Sequence, residues 1–215
     1  MSRREELAER LGQVQSKISR SDVTLIVVTK TYPVTDVEIL HELGIRNFGE
    51  NRSEEGSEKS ALVDATWHFQ GGIQSRKLRD IASWADVIHS LDNAGHISKL
   101  TSAAEKPIDV FLQLSLDGDP SRGGAIESDL PALADQVMAT TNLNLLGLMC
   151  VPPVAALPQN AFTEISTIHR RFIGHYPGAT SLSAGMSGDF EIAMDCGATH
   201  IRVGSSILGS RAPHE

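Results

Sequence analysis

Two regions of this chain carry residue types and spacings that do chemistry. In LIVVTKTYP, the aliphatic run Leu25, Ile26, Val27 and Val28 leads to a single amine, Lys30, before Pro33 stops the segment. A lysine desolvated at the end of a buried strand becomes a nucleophile toward carbonyls, the chemistry of Schiff bases. Most lysines at strand ends instead lay their stem along apolar surface and keep the ammonium in water. The second region is C-terminal: Ser183 and Gly185 in SLSAGMS, then Arg202, Gly204, Ser205 and Ser206 in HIRVGSS. Backbone N–H groups of a Gly-Ser turn that opens a helix point at an anion without needing a cation. Glycine and serine also make ordinary turns and caps, and Ser187 in GMSGDFEIAM reads as the N-cap of the next helix.

The elements that must position these groups alternate along the chain. Eight strand candidates stand out: Leu25–Lys30, Arg46–Glu50, Trp67–Gly71, Val87–Leu91, Asp109–Leu116, Leu143–Cys150, Thr180–Gly185 and His200–Val203. Unbroken apolar runs such as LIVV are those of strands buried on both faces, as in a parallel sheet covered by helices. Helical patterns lie between them. In VTDVEILHELG, Thr35 and Glu38 have capping-box spacing and Gly44 ends the helix. In ESDLPALADQVMATT, Ser128 is expected as N-cap, Pro131 in the first turn, and Leu130, Leu133, Ala134 and Val137 as the buried stripe.

Eight βα units after a charged leading helix, MSRREELAERLGQVQSKISR, predict an α/β fold in which residues 1–215 form one (β/α)8 TIM barrel. An open doubly wound sheet is the alternative architecture. SLDGDPSRGGAIES is expected to be a mobile loop after the fifth strand. Barrels of this kind collect active groups at the C-terminal strand ends, and phosphate sites follow strands seven and eight. Lys30, Asn51, His68, Met149, Ser183 and Arg202 all fall on that rim. With both Gly/Ser clusters at the phosphate end, an anion cup is the favoured reading. His68 and Glu50 are expected to support the site rather than catalyse, and His89 to be structural.

Composition narrows the function. The 215 residues are 40% hydrophobic and 21% charged, with 19 Lys and Arg against 27 Asp and Glu, a formal charge of −8. General attraction to nucleic acid or to an anionic membrane is thereby disfavoured. The N-terminal segment lacks the apolar core of a secretory signal and no later stretch reaches the length of a membrane span, so a cytoplasmic protein is expected. The two cysteines, Cys150 and Cys196, are too few for a disulfide framework and lack metal-ligand spacing, as do the scattered histidines.

VVTKTYP, FGENR, WHFQGGIQSRK, GLMC, LSAGMSGDFEIAM and IRVGSSILGSR, in this order, resemble the YggS/PROSC family of pyridoxal 5′-phosphate (PLP) homeostasis proteins. The likeness runs from about Leu25 to Arg211, and that family shares the fold of the alanine racemase N-terminal domain. It implies PLP as cofactor, held as a Schiff base on Lys30. It further implies phosphate contacts from Ser183, Gly204 and Ser205, with Arg202 facing the pyridine nitrogen and Asn51 and Met149 around the ring. Tyr32, Gln70, Gly72, Ala184 and Arg122 depart from the usual family pattern, at rim positions.

Three functions fit these residues: a PLP carrier without a dedicated reaction, a PLP-dependent amino-acid racemase, and an aldolase using Lys30 directly. Racemisation needs an acid/base group on each face of the substrate adduct, and the racemases take the second, a tyrosine, from a further domain. Only Tyr32 and Tyr176 are present, and neither is expected in that place. The carrier ranks first. It is expected to act as a monomer, with apo PLP-dependent enzymes as recipients and no nucleic-acid or membrane partner.

Overall fold

The computed structural model describes residues 1–209. Within them, eight parallel strands close into a barrel in sequential order: β1 (Thr24–Val28), β2 (Asn47–Glu50), β3 (Thr66–Phe69), β4 (Val87–Leu91), β5 (Ile108–Leu114), β6 (Leu143–Cys150), β7 (Ser181–Met186) and β8 (His200–Val203). Strand β1 pairs with both neighbours, Val27 opposite Phe48 of β2 and opposite Val203 of β8, so the two ends of the sequence meet at one seam. The predicted strands are all present with edges shifted by a residue or two; β1 ends at Val28 rather than Lys30.

The helices form the outer layer: α1 (Arg3–Gln15), α2 (Val34–Glu42), α3 (Ser53–Ser60), α4 (Leu78–Trp84), α5 (Ala94–Ala103), α6 (Leu130–Met138), α7 (Pro158–His175), α8 (Phe190–Asp195) and α9 (Ser205–Leu208). Helix α1 opens with a capping box between Ser2 and Glu5 and buries Leu7, Leu11 and Val14. Arg3 bridges from it to Asp36 at 2.6 Å and to the Leu208 carbonyl at 3.0 Å, tying α1 to α9. Helix α6 buries the expected Leu130, Leu133, Ala134 and Val137 with Pro131 in its first turn, and Gly44, at φ +98°, ends α2.

Two predicted caps are corrected. Helix α2 starts directly after Pro33, whose extended backbone makes it the N-cap, leaving Thr35 inside the first turn. Ser128 lies in a 3-10 turn over Glu127–Asp129, because the Asp129 N–H already bonds the Ile126 carbonyl and the chain winds before the helix begins. The loop after β5, expected to be mobile, is tied back. Ala125 exchanges backbone hydrogen bonds with Gln113 and Ser115, and Arg122 reaches Asp117 and the Val151 carbonyl.

The helices pack on the outside of the sheet through a large aliphatic core, while the barrel interior is smaller and partly polar. His89 stacks on Phe111 at 4.5 Å, and His200 meets the edge of the same ring at 5.2 Å. Residues from β4, β5 and β8 touch there, so they share the barrel axis.

Candidate functional site

A cavity of about 570 Å³ opens at the C-terminal ends of the strands, the face where barrel enzymes place their sites. Lys30, Asn51, Met149, Arg202, Gly204 and Ser205 line it, as do Tyr32, Gln70 and Ser187. Six of the seven positions singled out from the sequence therefore share one pocket; Ser183 does not line it.

The backbone carrying Lys30 is fixed on both sides. Before it, Thr29 donates from its amide to the Gly49 carbonyl at 2.9 Å and from its hydroxyl to Glu50 Oε1 at 2.6 Å. Lys59 Nζ donates to the Thr29 carbonyl at 2.8 Å and to the same Glu50 oxygen at 2.6 Å. After it, Thr31 adopts φ +69°, a conformation that costs a β-branched residue, and its N–H donates to Glu55 Oε2 at 2.6 Å. Glu50, expected to support the loop, does so through these bonds. Burial raises its pKa, with Lys59 and Thr29 opposing.

At the end of the adjoining β8, the N–H groups of Gly204 and Ser206 converge on Ser187 Oγ at 3.2 and 3.4 Å, and the Ser206 hydroxyl donates to the Ser187 carbonyl at 3.3 Å. This is the Gly/Ser cup, and Ser187 belongs to it. The sequence reading of Ser187 as an N-cap is thus corrected: Asp189 holds that position, and its Oδ1 accepts from the Met186 N–H at 2.6 Å. Tyr32 closes the cup from β1's side, donating its hydroxyl to the Gly209 carbonyl at 2.6 Å.

Ser183 is corrected in the opposite sense. It is fully buried, and its oxygen accepts from Arg202 Nη1 at 2.7 Å and meets His89 Nδ1 at 2.9 Å, inside the barrel and not in the lining of the cavity. Side chains alternate along a strand, and Ser183 takes the inward face.

Arg202 is 5% exposed and donates its other arm to the Cys150 carbonyl at 3.1 Å. Among the described residues no carboxylate pairs with it, and burial pulls its pKa down to about 10. A buried cation with donors toward an open cavity calls for an acceptor from a ligand. Met149 is buried beside it and supplies apolar floor. Asn51 lies close under Gly71, where a Cβ would come within 2.0 Å of the Asn51 carbonyl oxygen, so only glycine permits that approach. Nothing in the sequence marked Tyr32 as more than a rim departure, and Ser187 was hidden by the cap pattern around it.

Residues 3–212 match the family model described as alanine racemase, N-terminal domain. A pyridoxal phosphate homeostasis protein from Mycobacterium leprae is 37% identical, covering 96% of this chain and 93% of its own. The one from Corynebacterium glutamicum is 42% identical over 88% of this chain and 90% of its own. This chain belongs to the pyridoxal phosphate homeostasis proteins of the alanine racemase N-terminal-domain family. Another family structure is PipY of Synechococcus elongatus, solved with PLP bound. It is 32% identical with a TM-score of 0.86, covering 94% of this chain and 100% of PipY. Alanine racemase from Corynebacterium glutamicum, at 14% identity and a TM-score of 0.79, shares the fold; the likeness covers 99% of this chain and 64% of the racemase. The closed barrel with its leading helix, expected from the alternating pattern and the resemblance, is thus the fold of this family.

Proposed function

We propose that this chain binds PLP and serves its homeostasis as a carrier without a dedicated reaction. The observation that carries the reading is the buried Arg202, paired with no carboxylate among the described residues, at the floor of a pocket that also holds a lysine and a Gly/Ser cup. Those three groups fit the three polar parts of PLP, a ring nitrogen, an aldehyde and a phosphate. The cofactor supplies a carbonyl for amines and an electron-withdrawing pyridine ring.

Lys30 provides the amine of the Schiff base. The N–H groups of Gly204, Ser205 and Ser206, with the Ser187 hydroxyl, receive the phosphate. Met149 packs against the ring, and Asn51 lies at its edge. Arg202 donates to the ring nitrogen. A guanidinium cannot accept a proton, so it keeps that nitrogen unprotonated and weakens the ring as an electron sink. Efficient amino-acid chemistry would need a strong sink or a second acid/base group opposite Lys30. Tyr32, the phenol in the pocket, commits its proton to the Gly209 carbonyl. The PLP-bound PipY structure supports the ligand, and the relatives' role in PLP homeostasis supports the carrier over a racemase. Delivery to apo PLP-dependent enzymes, by a cytoplasmic monomer, completes the proposal. No helix among the described residues is long and apolar enough to cross a membrane.

Borohydride reduction of the protein mixed with PLP, followed by peptide mapping, tests it. A pyridoxyl group on Lys30 is expected. Its appearance on Lys77 or Lys99 alone would defeat the assignment.

A further inference from the structure

The barrel interior holds two histidines that the proposed function leaves idle. His68 and His89 are buried, with His68 Nδ1 and His89 Nε2 2.9 Å apart. His68 Nε2 meets Asn47 Oδ1 at 3.0 Å, and His89 Nδ1 meets Ser183 Oγ at 2.9 Å. Ser183 in turn accepts from Arg202 Nη1 at 2.7 Å. Five side chains from β2, β3, β4, β7 and β8 thus form one line across the barrel, ending at the pocket.

The direction of every bond in this line follows from its ends. Asn47 Oδ1 can only accept, so His68 carries its hydrogen on Nε2, and the Nδ1 of a neutral ring accepts. His89 therefore donates from Nε2 and accepts at Nδ1, and the Ser183 hydroxyl donates to it. With its hydrogen directed at His89, the Ser183 oxygen turns lone pairs toward Arg202, which can only donate. Both fixed ends agree, and no link is frustrated. Desolvation holds His68 down at about 3 and His89 well below the usual imidazole range, which keeps both rings neutral, as the line requires.

We infer that His89, backed by His68, is a positioning residue for the pocket's guanidinium: it orients the Ser183 hydroxyl so that Arg202 is held as a fixed donor toward the ring nitrogen of the bound cofactor. The inference rests on the PLP reading above. The Cys150 carbonyl takes the second arm of Arg202, so the remaining N–H groups are those that can meet a ligand. The histidines support a cation without neutralising it. A carboxylate in their place would pair with Arg202 and draw its donors away from the pocket. The line is also rigid, because His89 stacks on Phe111 with the rings 22° apart.

The test loads the full-length protein with PLP labelled with 15N in its ring and compares wild type with His89→Phe, His89→Asn and Ser183→Ala. The phenylalanine keeps the stack on Phe111 and removes the acceptor, whereas the asparagine amide oxygen can take the Ser183 hydrogen. The expected result is that all four proteins still give the borohydride adduct on Lys30. His89→Phe and Ser183→Ala should bind PLP roughly tenfold more weakly, the scale of one lost hydrogen bond, and should move the ring-nitrogen resonance. His89→Asn should restore both most of the way. If His89→Phe does not fold, Ser183→Ala with the His89→Asn comparison carries the same expectation. A ring-nitrogen resonance left at its wild-type position by His89→Phe overturns the role of His89, whatever Ser183→Ala does. A wild-type protein that takes up no PLP overturns the cofactor reading itself, and with it this inference.

Discussion

Replacing Lys59 with methionine should destabilise the protein severely, and more at high pH than at low. The Lys59 side chain is 7% exposed and that of Glu50 0%, with the ammonium 2.6 Å from Oε1 and Glu50 Oε2 left without a hydrogen-bond partner. Methionine keeps the packing of the aliphatic stem, so the loss is electrostatic. Removing one partner of a buried pair costs about 3–5 kcal/mol, because the remaining charge stays desolvated. Glu50 escapes part of that cost by taking up a proton. Its pKa in the folded state is already raised above the ordinary 4.5 by burial. The folded state therefore holds more protons than the unfolded one above that value, and this group's contribution to stability falls as pH rises. Without Lys59 the rise in pKa is larger, so the pH window is wider. Urea unfolding followed by circular dichroism should show Lys59→Met losing about 3–5 kcal/mol at pH 8 and clearly less at pH 5, the loss changing by at most about 1.4 kcal/mol per pH unit. The double variant Lys59→Met, Glu50→Gln should recover much of the loss at pH 8. A penalty below about 1 kcal/mol at pH 8, the range of exposed pairs, or an equal penalty at both pH values, would refute the reasoning.

Ser187→Ala should weaken PLP binding by roughly tenfold in a spectroscopic titration and leave the weaker binding of pyridoxal nearly unchanged, since only the phosphate uses the cup; equal effects on both ligands would remove Ser187 from it. Overall stability should fall as pH drops below 6.5, because His68, His89 and His200 are all held below that value by burial, the first at about 3 and the last at about 4. The unfolded chain then binds protons that these rings refuse, at about 1.4 kcal/mol per pH unit for each ring, and three rings outweigh the opposite drift of Glu50; a urea midpoint that stays flat from pH 7 to 5 would contradict this. Incubated with L-alanine in deuterated water, the PLP-loaded protein should exchange the Cα hydrogen far more slowly than about 1 s⁻¹; NMR showing exchange at that rate, abolished by Lys30→Ala, would replace the carrier with a racemase.

The barrel was legible because strand-like and helical segments alternate along the whole chain, with runs such as Leu25–Val28 buried on both faces, and Val87–Leu91, Leu143–Cys150 and His200–Val203 have the bounds read from the sequence. Lys30, Asn51, Met149, Arg202, Gly204 and Ser205 were legible through motif and strand end together, and all line the cavity. What the pattern could not show was which of two serines faces the cavity. Ser183 and Ser187 flank Gly185, near the end of β7, and the choice depends on the pleat of β7 and on where α9 presents its N–H groups. The line from Asn47 to Arg202 was hidden for a related reason. Each member reads as an ordinary buried polar residue on its own strand, and only closure of the barrel makes them neighbours.

The seam between β1 and β8 also governs when the pocket comes into being. The lysine leaves one end of the sequence and the cup leaves the other, and Thr24 opposite His200 is the register that joins them. No folding intermediate lacking that pairing has a pocket, however much of the sheet it has built. A nascent chain must emerge through β8 before the pocket exists, whereas a circular permutant joined across the seam and opened at another loop would make that junction from covalently linked strands. In the proposed binding mode, PLP reaching from Lys30 to the cup would span the seam and act as a clasp on the step of highest contact order. Its occupancy stabilises the closed barrel by mass action, so colour from the bound cofactor reports the last event of folding rather than the bulk of it.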